Sequence, residues 1–207
     1  MSSNDSAIPI QSRSFIEEAR RAQIINCAIE TIAEVGYANA SLAAIAQRAG
    51  ISKGVISYHF AGKEDLVREV VKAVYELGAK HMGPRIEAAT TARDRLRAYI
   101  ESNLEFMALY RKQLLALVSI IMYARTSKGD LLYDLTADEP ILCWTEQIFI
   151  EGQKSGEFRD FSPRSMAIAL RGVIDAAPGK LLGTPNFDLA AYAREIADLF
   201  ELGTRAQ

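Results

Sequence analysis

The stretch that decides the fold is SLAAIAQRAGISKGVISYHF, residues 41–60. It contains two short segments with helical spacing of apolar residues, and each follows a serine, Ser41 or Ser52, of the kind that caps a helix N-terminus. Two short helices joined by a tight turn predict a helix-turn-helix motif. An ordinary helical hairpin is the alternative that the pattern alone leaves open.

The spacing within this stretch indicates how its two helices pack. Ala46 is small where the helices would cross, Gly50 permits the tight turn, and Ile56 would hold the second helix on the core. The outer face of the second helix is then free to enter a major groove of DNA. That face carries Lys53, Gly54, Ser57 and Tyr58.

The distribution of charge favours DNA binding over a plain hairpin. The formal net charge is only −2, so the chain as a whole does not indicate a nucleic-acid partner. Residues 35–63, however, contain Arg48, Lys53 and Lys63 and no aspartate or glutamate. The acidic residues of this region lie on the preceding helix, so the sequence predicts a locally positive surface, as phosphate contact requires.

Working outward, apolar spacing is helical almost everywhere and no strand pattern appears, which predicts an all-α fold of about nine helices. The first long helix spans about 15–35 and ends at Gly36, and the fourth spans about 63–80. Gly83-Pro84 interrupts the pattern and marks a domain boundary. Later helices are predicted over 92–110, 112–124, 140–155, 162–179 and 189–202. The predicted organisation is a disordered arm (1–14), a DNA-binding domain with a connecting fourth helix (15–80) and a larger helical domain (84–207).

Composition limits the classes of protein that remain. The 207 residues are 49% hydrophobic, which is enough for a buried core. Cys27 and Cys143 lack CxxC spacing and there are two histidines, so we expect a reduced, cytoplasmic protein without a metal or cofactor. The N-terminus lacks the features of a signal peptide, and the most apolar run, 114–124, is about half the ~20 residues that a membrane helix needs.

Two other functions remain as alternatives. An enzyme is not expected, because the sequence has no GxSxG, Walker, HExxH or paired-cysteine motif. A helical small-molecule carrier or protein-interaction module with a vestigial helix-turn-helix is the second alternative. The acid-free stretch argues against it, because a vestigial module has no reason to keep positive charge there.

The segment GISKGVISYHFAGKEDL, residues 50–66, resembles the signature of TetR-family regulators. The helix before it, residues 24–36, is similar to the first helix of that family, and the strong match covers about 20–74. The resemblance implies an N-terminal three-helix DNA-binding domain and a C-terminal domain that dimerises and binds a small molecule. It implies a homodimer on palindromic double-stranded DNA, most often a repressor that an effector releases.

The resemblance also implies roles for individual residues. Ser41 and Ser52 would donate to phosphates from helix N-termini, and Lys63 would meet another phosphate. Further contacts to DNA are implied for Arg48, Lys53 (a base edge), Gly54 (close approach), Ser57, Tyr58 and His59. The chain departs from the family at Ser57, where many members have tyrosine, which puts that contact in doubt. His59 has a second interpretation, as a histidine at the edge of the core bonded to backbone.

For the C-terminal region, the resemblance implies dimerisation through the last two helices. Their apolar stripes are Met166, Ala169, Leu170, Val173 and Ile174 on one helix and Tyr192, Ile196, Leu199 and Phe200 on the other. A monomer could equally bury them. The candidate effector residues combine apolar bulk with polar tips: His81, Phe106, Met107, Tyr110, Met122, Tyr123, Cys143, Trp144, Gln147 and Asp175. Plain core is the alternative for this set, and Arg171 and Asp175 could pair on the surface or at the dimer interface.

Overall fold

The structure, a computed structural model, describes residues 10–133, 139–184 and 186–206. Within these ranges it has nine α-helices and two isolated β-bridges. The predicted all-α fold is therefore confirmed. The helices are α1 (Ile10–Asn39), α2 (Leu42–Ala49), α3 (Lys53–His59), α4 (Lys63–Glu87), α5 (Ala92–Leu109), α6 (Arg111–Tyr123), α7 (Glu139–Lys154), α8 (Pro163–Gly183) and α9 (Leu189–Thr204).

α1 begins earlier than the sequence predicts. The helix starts at Ile10 and residues 1–9 lie outside the described part of the chain, so the disordered arm stays a prediction. A polar composition indicates exposure, but exposed helix and disordered chain share it. The predicted stop is confirmed: Gly36 has φ 78° and ψ 160°, a conformation that breaks the helical path before a final turn.

α4 and α8 both continue through a proline that the sequence indicates as a break. α4 runs through Gly83-Pro84 to Glu87, so the predicted interruption is wrong. Gly83 has no Cβ to collide with the proline ring, which relieves the usual restriction on the preceding residue. α8 runs through Pro178 to Gly183, where both Ala177 and Pro178 are buried. Packing there outweighs the lost backbone hydrogen bond.

The buried side chains form two apolar clusters. The N-terminal core joins α1–α4, with residues such as Ile24, Ile56 and Val70, and the C-terminal core joins α5 with α7–α9. Ala116 and Ile120 of α6 belong to the N-terminal core. The domain boundary near residue 83 stays a prediction. Apolar side chains from both sides of this boundary pack together in the N-terminal core.

α6 is fixed to the end of α1 by a polar contact as well. The backbone N–H of Tyr37 donates to Ser119 Oγ at 2.9 Å. Farther along the same two helices, Lys112 Nζ lies 3.8 Å from Glu30 Oε1. α6 is thus bound directly to α1, the helix that precedes the helix-turn-helix.

The apolar stripes of the last two helices divide between the inside and the outside of the chain. Leu170 and Ile174 of α8, and Ile196 and Phe200 of α9, are buried within the single chain. The large apolar side chains that α8 and α9 leave exposed are Ile168, Leu199 and Leu202. The outward face is therefore offset from the stripes that the sequence indicates.

No single helix among the described residues is long and apolar enough to cross a bilayer. α5 and α6 satisfy the length and composition criteria only when taken together, and they meet at a bend of 97°.

Candidate nucleic-acid interface

The local structure of residues 41–60 follows the predicted capping. Ser41 Oγ accepts from the N–H of Ala44 at 3.1 Å, and Ser52 Oγ accepts from the N–H of Val55 at 3.4 Å. Gly50 has φ 66°, a left-handed conformation that favours glycine, and it ends α2. Each capping hydroxyl accepts with its oxygen and keeps its O–H free to donate, so both serines retain the capacity to bind a phosphate.

α3 divides into a buried and an exposed face. Ile56 is 0% exposed and packs in the N-terminal core beside Phe60, which follows the helix. Tyr58 is 75% exposed, and Lys53, Gly54 and Ser57 also face solvent. The sequence placed these residues on the outer face, and the structure presents that face as a free surface of the chain.

Two of the three basic residues in the acid-free stretch are already engaged by the protein. The Arg48 guanidinium hydrogen-bonds to the carboxylates of Glu30, at 3.2 Å, and Glu34 on α1. Lys63 Nζ donates to the carbonyl oxygen of Tyr37 at 2.6 Å and lies 4.2 Å from the centre of its ring. Burial lowers the pKa of the Lys63 ammonium. DNA contacts by Arg48 and Lys63 stay predictions, and either contact would compete with these partners.

Lys53 is different. Its ammonium makes no hydrogen bond or ion pair with any residue in the described ranges, and it lies exposed in the first turn of α3. An ammonium without an internal partner at this position is available to contact DNA phosphates. The positive surface predicted from three residues therefore rests mainly on Lys53.

The remaining candidates on α3 have contacts within the protein. Ser57 Oγ donates to the carbonyl of Lys53 at 3.2 Å, and Tyr58 Oη donates to Glu17 Oε1 at 3.4 Å. The His59 ring lies edge-on to Tyr58, with 5.0 Å between ring centroids, and is half-buried. Both interpretations of His59 stay open. Its backbone carbonyl accepts a hydrogen bond from α1, whereas its ring has no hydrogen bond to any described residue.

That carbonyl binds Arg21, a residue that sequence reasoning missed. Arg21 Nη1 donates to the carbonyl oxygen of His59, and its guanidinium lies 4.5 Å from the centre of the Phe60 ring. Arg21 also approaches Glu69 of α4 at 3.5 Å. One side chain thus joins α1 to the end of α3 and to α4. Nothing in the local sequence distinguishes Arg21 from Arg20.

The candidate effector residues do not share one environment. Phe106 and Met107 are buried, and the His81 ring packs against Phe106 and Tyr110, with centroids 5.9 Å and 5.8 Å away. By contrast, Met122 and Tyr123 are more than half exposed, Gln147 is exposed, and the Cys143 thiol donates to Glu139 Oε1 at 3.2 Å on the surface. The roles of all of them stay predictions.

A polar group near Trp144 was not predicted from the sequence. Tyr99 is 4% exposed, and its ring lies 5.0 Å from that of Trp144. Burial raises the pKa of Tyr99, which the charge of Arg171 and hydrogen bonding with Thr145 and Arg171 partly offset. Arg171 in turn binds Asp175 at 2.8 Å, which confirms their spacing as a pair. The sequence does not distinguish Tyr99 from an ordinary core residue, because it follows the apolar spacing of α5.

Two of the depressions in the described surface lie away from these residues. One, of about 250 Å³, borders the start of α4 at Gly62 and Asp65. The other, of about 300 Å³, lies between the end of α4 and the start of α5, beside Arg85 and Arg97. Among the described residues, no three histidine, cysteine or carboxylate side chains converge as a metal ion requires.

Comparison with known proteins finds relatives for part of the chain. Residues 24–70 match the family described as bacterial regulatory proteins, tetR family. The regulator BetI 1 of Chromohalobacter salexigens is 36% identical over 91 residues, 44% of this chain and 45% of that protein. BetI of Stenotrophomonas maltophilia is 34% identical over 94 residues, 44% and 46% of the two chains. The match thus spans about half the length of these relatives.

Solved structures match nearly the whole chain. FadR from Bacillus halodurans has a TM-score of 0.76 at 22% identity, covering 89% of this chain and 99% of that one. A transcriptional regulator from Saccharomonospora viridis, solved in complex with choline, has a TM-score of 0.74 at 26% identity, covering 92% and 99%. Residues 24–70 include α2 and α3, the two helices of the helix-turn-helix. The chain thus contains a segment similar to the tetR family, residues 24–70, within a fold that it shares with solved transcriptional regulators.

Proposed function

We propose that this chain is a ligand-responsive regulator that binds palindromic DNA as a homodimer. Binding of a small molecule releases the protein from the DNA. The observation that carries the proposal is the exposed, acid-free face of α3 with the free ammonium of Lys53. The matched TetR-family segment, residues 24–70, contains this helix. A regulator of this kind acts in the cytoplasm and needs no enzymatic activity. The comparisons do not favour the alternative of a carrier with a vestigial helix-turn-helix.

Dimerisation is supported by the outward face of the last two helices. Ile168 is 52%, Leu199 59% and Leu202 71% exposed, an unusual amount of large apolar surface on two helices. A two-fold dimer would cover these side chains and place the two α3 helices in successive major grooves, about 34 Å apart. Symmetric operators match symmetric dimers, so the two proposals support each other.

Coupling between effector and DNA has two routes in this chain. α4 is continuous from Lys63, beside the helix-turn-helix, to Glu87, beside α5. α6 contacts α1 through the hydrogen bond from Tyr37 to Ser119. Movement of either helix on effector binding would shift α3. A coupling of about 1–3 kcal/mol is typical and changes DNA affinity roughly 5- to 150-fold.

The effector is proposed only as a small organic molecule. The solved relative from Saccharomonospora viridis holds choline, and FadR from Bacillus subtilis holds stearoyl-CoA. Since these are unlike molecules, they support a small-molecule site on this fold without selecting one ligand class.

The role of α3 is tested by reversing the charge of Lys53. We expect Lys53→Glu to weaken binding to a random 30-base-pair duplex at least tenfold at low salt, because an acidic group would replace a cation facing phosphates. Fluorescence anisotropy of labelled duplex measures this. Lys128→Glu is the matched control: it makes the same change of charge on the exposed loop after α6, and we expect less than a twofold effect. Equal effects of the two variants would refute a DNA-binding role for this face.

A further inference from the structure

The Lys63 ammonium is held by one residue, Tyr37, through two contacts. It donates to the carbonyl oxygen of Tyr37 at 2.6 Å and lies 4.2 Å from the centre of the Tyr37 ring. A charge-assisted hydrogen bond and a cation–π contact thus act on the same nitrogen atom. Burial lowers the pKa of Lys63, as expected for an ammonium drawn partly out of water. To move outward, Lys63 has to give up both contacts.

Tyr37 cannot follow the ammonium outward, because its short turn is anchored on both sides. The N–H of Tyr37 donates to Ser119 Oγ of α6 at 2.9 Å. Gly36, just before it, has φ 78° and separates this turn from the rest of α1. Ala40, three residues later, is 0% exposed, and its N–H donates to the carbonyl of Gly36 at 3.1 Å. The residue that holds Lys63 is therefore fixed to α6 and to the N-terminal core.

Lys63 lies close enough to α3 for its release to affect DNA binding. Residues 60–62 separate it from His59, the last residue of α3, so the two Cα atoms are at most about 14 Å apart. Phosphates border the major groove that α3 would enter, which is about 12 Å wide. The carboxylate of Glu64, the next residue, binds Arg68 at 2.8 Å. A released Lys63 ammonium would thus add a cation to the surface beside α3.

We propose that Tyr37 makes an autoinhibitory contact that withholds Lys63 from DNA phosphates, and that Ser119 of α6 keeps Tyr37 in place. The inference rests on the proposed function, because it requires that α3 binds DNA. Binding to DNA of arbitrary sequence is essentially electrostatic, so a withheld cation lowers it directly. The contact limits this general affinity and leaves the bases read by α3 unchanged. Lys53, which is exposed, carries the phosphate contact instead.

The number of phosphate contacts provides the test. The logarithm of the binding constant falls with the logarithm of the salt concentration, with a slope of about −0.9 for each phosphate contact. Binding of the purified full chain to a labelled random duplex is followed by fluorescence anisotropy at several salt concentrations. We expect Lys63→Gln to change the slope by less than about 0.3, because Tyr37 already withholds the cation, and Lys53→Gln to flatten it by about 0.9.

Two variants release the contact. Tyr37→Leu removes the ring, and we expect it to tighten binding at least threefold and to steepen the slope by roughly 0.5–0.9. Ser119→Ala frees the backbone of Tyr37 from α6, and we expect a change of the same sign. Tyr37→Phe is the matched control, since it keeps the ring and both backbone groups. Adding Lys63→Gln to either releasing variant should abolish the gain, whereas a purely structural effect would not depend on Lys63.

Three results would overturn the inference: a slope flattened by Lys63→Gln as much as by Lys53→Gln, no gain of affinity in the releasing variants, or a gain that persists when Lys63→Gln is added. Ser119→Ala decides alone if Tyr37→Leu does not fold. Any of these results with normal DNA binding by the unaltered protein overturns the autoinhibitory contact alone. No binding by the unaltered protein at low salt contradicts the proposed function.

Discussion

At the scale of single residues, the packing of α3 and α4 on α1 depends on Arg21. Its guanidinium reaches the carbonyl of His59, the Phe60 ring and the carboxylate of Glu69. These partners lie at the end of α3 and on α4. The orientation of α3 against α1 is thereby fixed by one planar, multiply donating side chain, which a lysine could not replace.

We expect Arg21→Met to lower the free energy of unfolding by about 2 kcal/mol, since a charge-assisted hydrogen bond to a half-buried carbonyl and a cation–π contact are both lost. Urea unfolding followed by circular dichroism measures this. Arg20→Met is the control, because Arg20 bonds only to Gln23 on its own helix, at 2.6 Å, and should cost less than about 0.5 kcal/mol. Equal losses would mean that Arg21 does not join the helices.

The sequence predicts the contacts of some side chains and not of others. The capping of Ser41 and Ser52 and the burial of Ile56 follow from residue type and spacing, and all three are confirmed. The partners of Arg48 and Lys63 do not, because Glu34 and the carbonyl of Tyr37 come into reach only once α1 packs on α2 and α4. Local spacing carries no information on such contacts.

At the scale of elements, α7 needs a glycine, Gly152, where it contacts Phe158 in the segment between α7 and α8. A Cβ on Gly152 would lie 2.1 Å from Cδ2 of Phe158, a ring that is 4% exposed in the C-terminal core. The ring has no room to move in a packed core, so only glycine fits. The segment is also held by the N–H of Phe158, which donates to the carbonyl of Gly152 at 3.0 Å.

We expect Gly152→Ala to destabilise the fold by about 1–3 kcal/mol, the usual cost of overpacking, although alanine favours helix. Gly78→Ala, within α4, is the control, since a Cβ there lies 3.6 Å from Met82 Cε and Phe106 Cζ, an ordinary van der Waals distance, and should be neutral or stabilising. Thermal unfolding of the two variants decides the matter. A stable Gly152→Ala protein would show that the ring is free to move.

Glu157 is a second element-scale contact, which closes the start of α5. Its carboxylate accepts from the backbone N–H groups of Ala92, at 3.1 Å, and Arg93, at 3.0 Å, from 65 and 64 residues away. Burial alone would raise the pKa of Glu157, but these hydrogen bonds outweigh it and hold the pKa below its ordinary value. The folded state therefore prefers the ionised form.

Because the folded-state pKa is depressed, the stabilisation by Glu157 is fully present above the unfolded pKa of about 4.3 and is lost as the pH falls through the folded value. We expect Glu157→Gln to cost about 1–2 kcal/mol at pH 7 and progressively less below about pH 4. Chemical unfolding at a series of pH values measures this. Glu151→Gln, which removes a surface pair with Arg95, is the control; a pH-independent loss in Glu157→Gln would contradict the assignment.

At the scale of the whole molecule, the helices are more predictable than their grouping. In the described part of the chain, nine helices with bounds close to most of the expected ones follow from spacing and capping. The grouping does not, because Gly83-Pro84 and Pro178 favour breaks that tertiary packing overrides, and because Ala116 and Ile120 of α6 join the N-terminal core.

The central claim is that the chain binds DNA through α3 as a symmetric dimer. It is tested most directly by selecting binding sites from random duplex DNA with the purified protein and sequencing the enriched pool. The account predicts a palindromic site whose half-sites lie about one helical turn apart, ~34 Å or slightly more, and no enrichment by Lys53→Glu. An enriched site without two-fold symmetry would contradict the dimer. Absence of enrichment at low salt would contradict the claim itself.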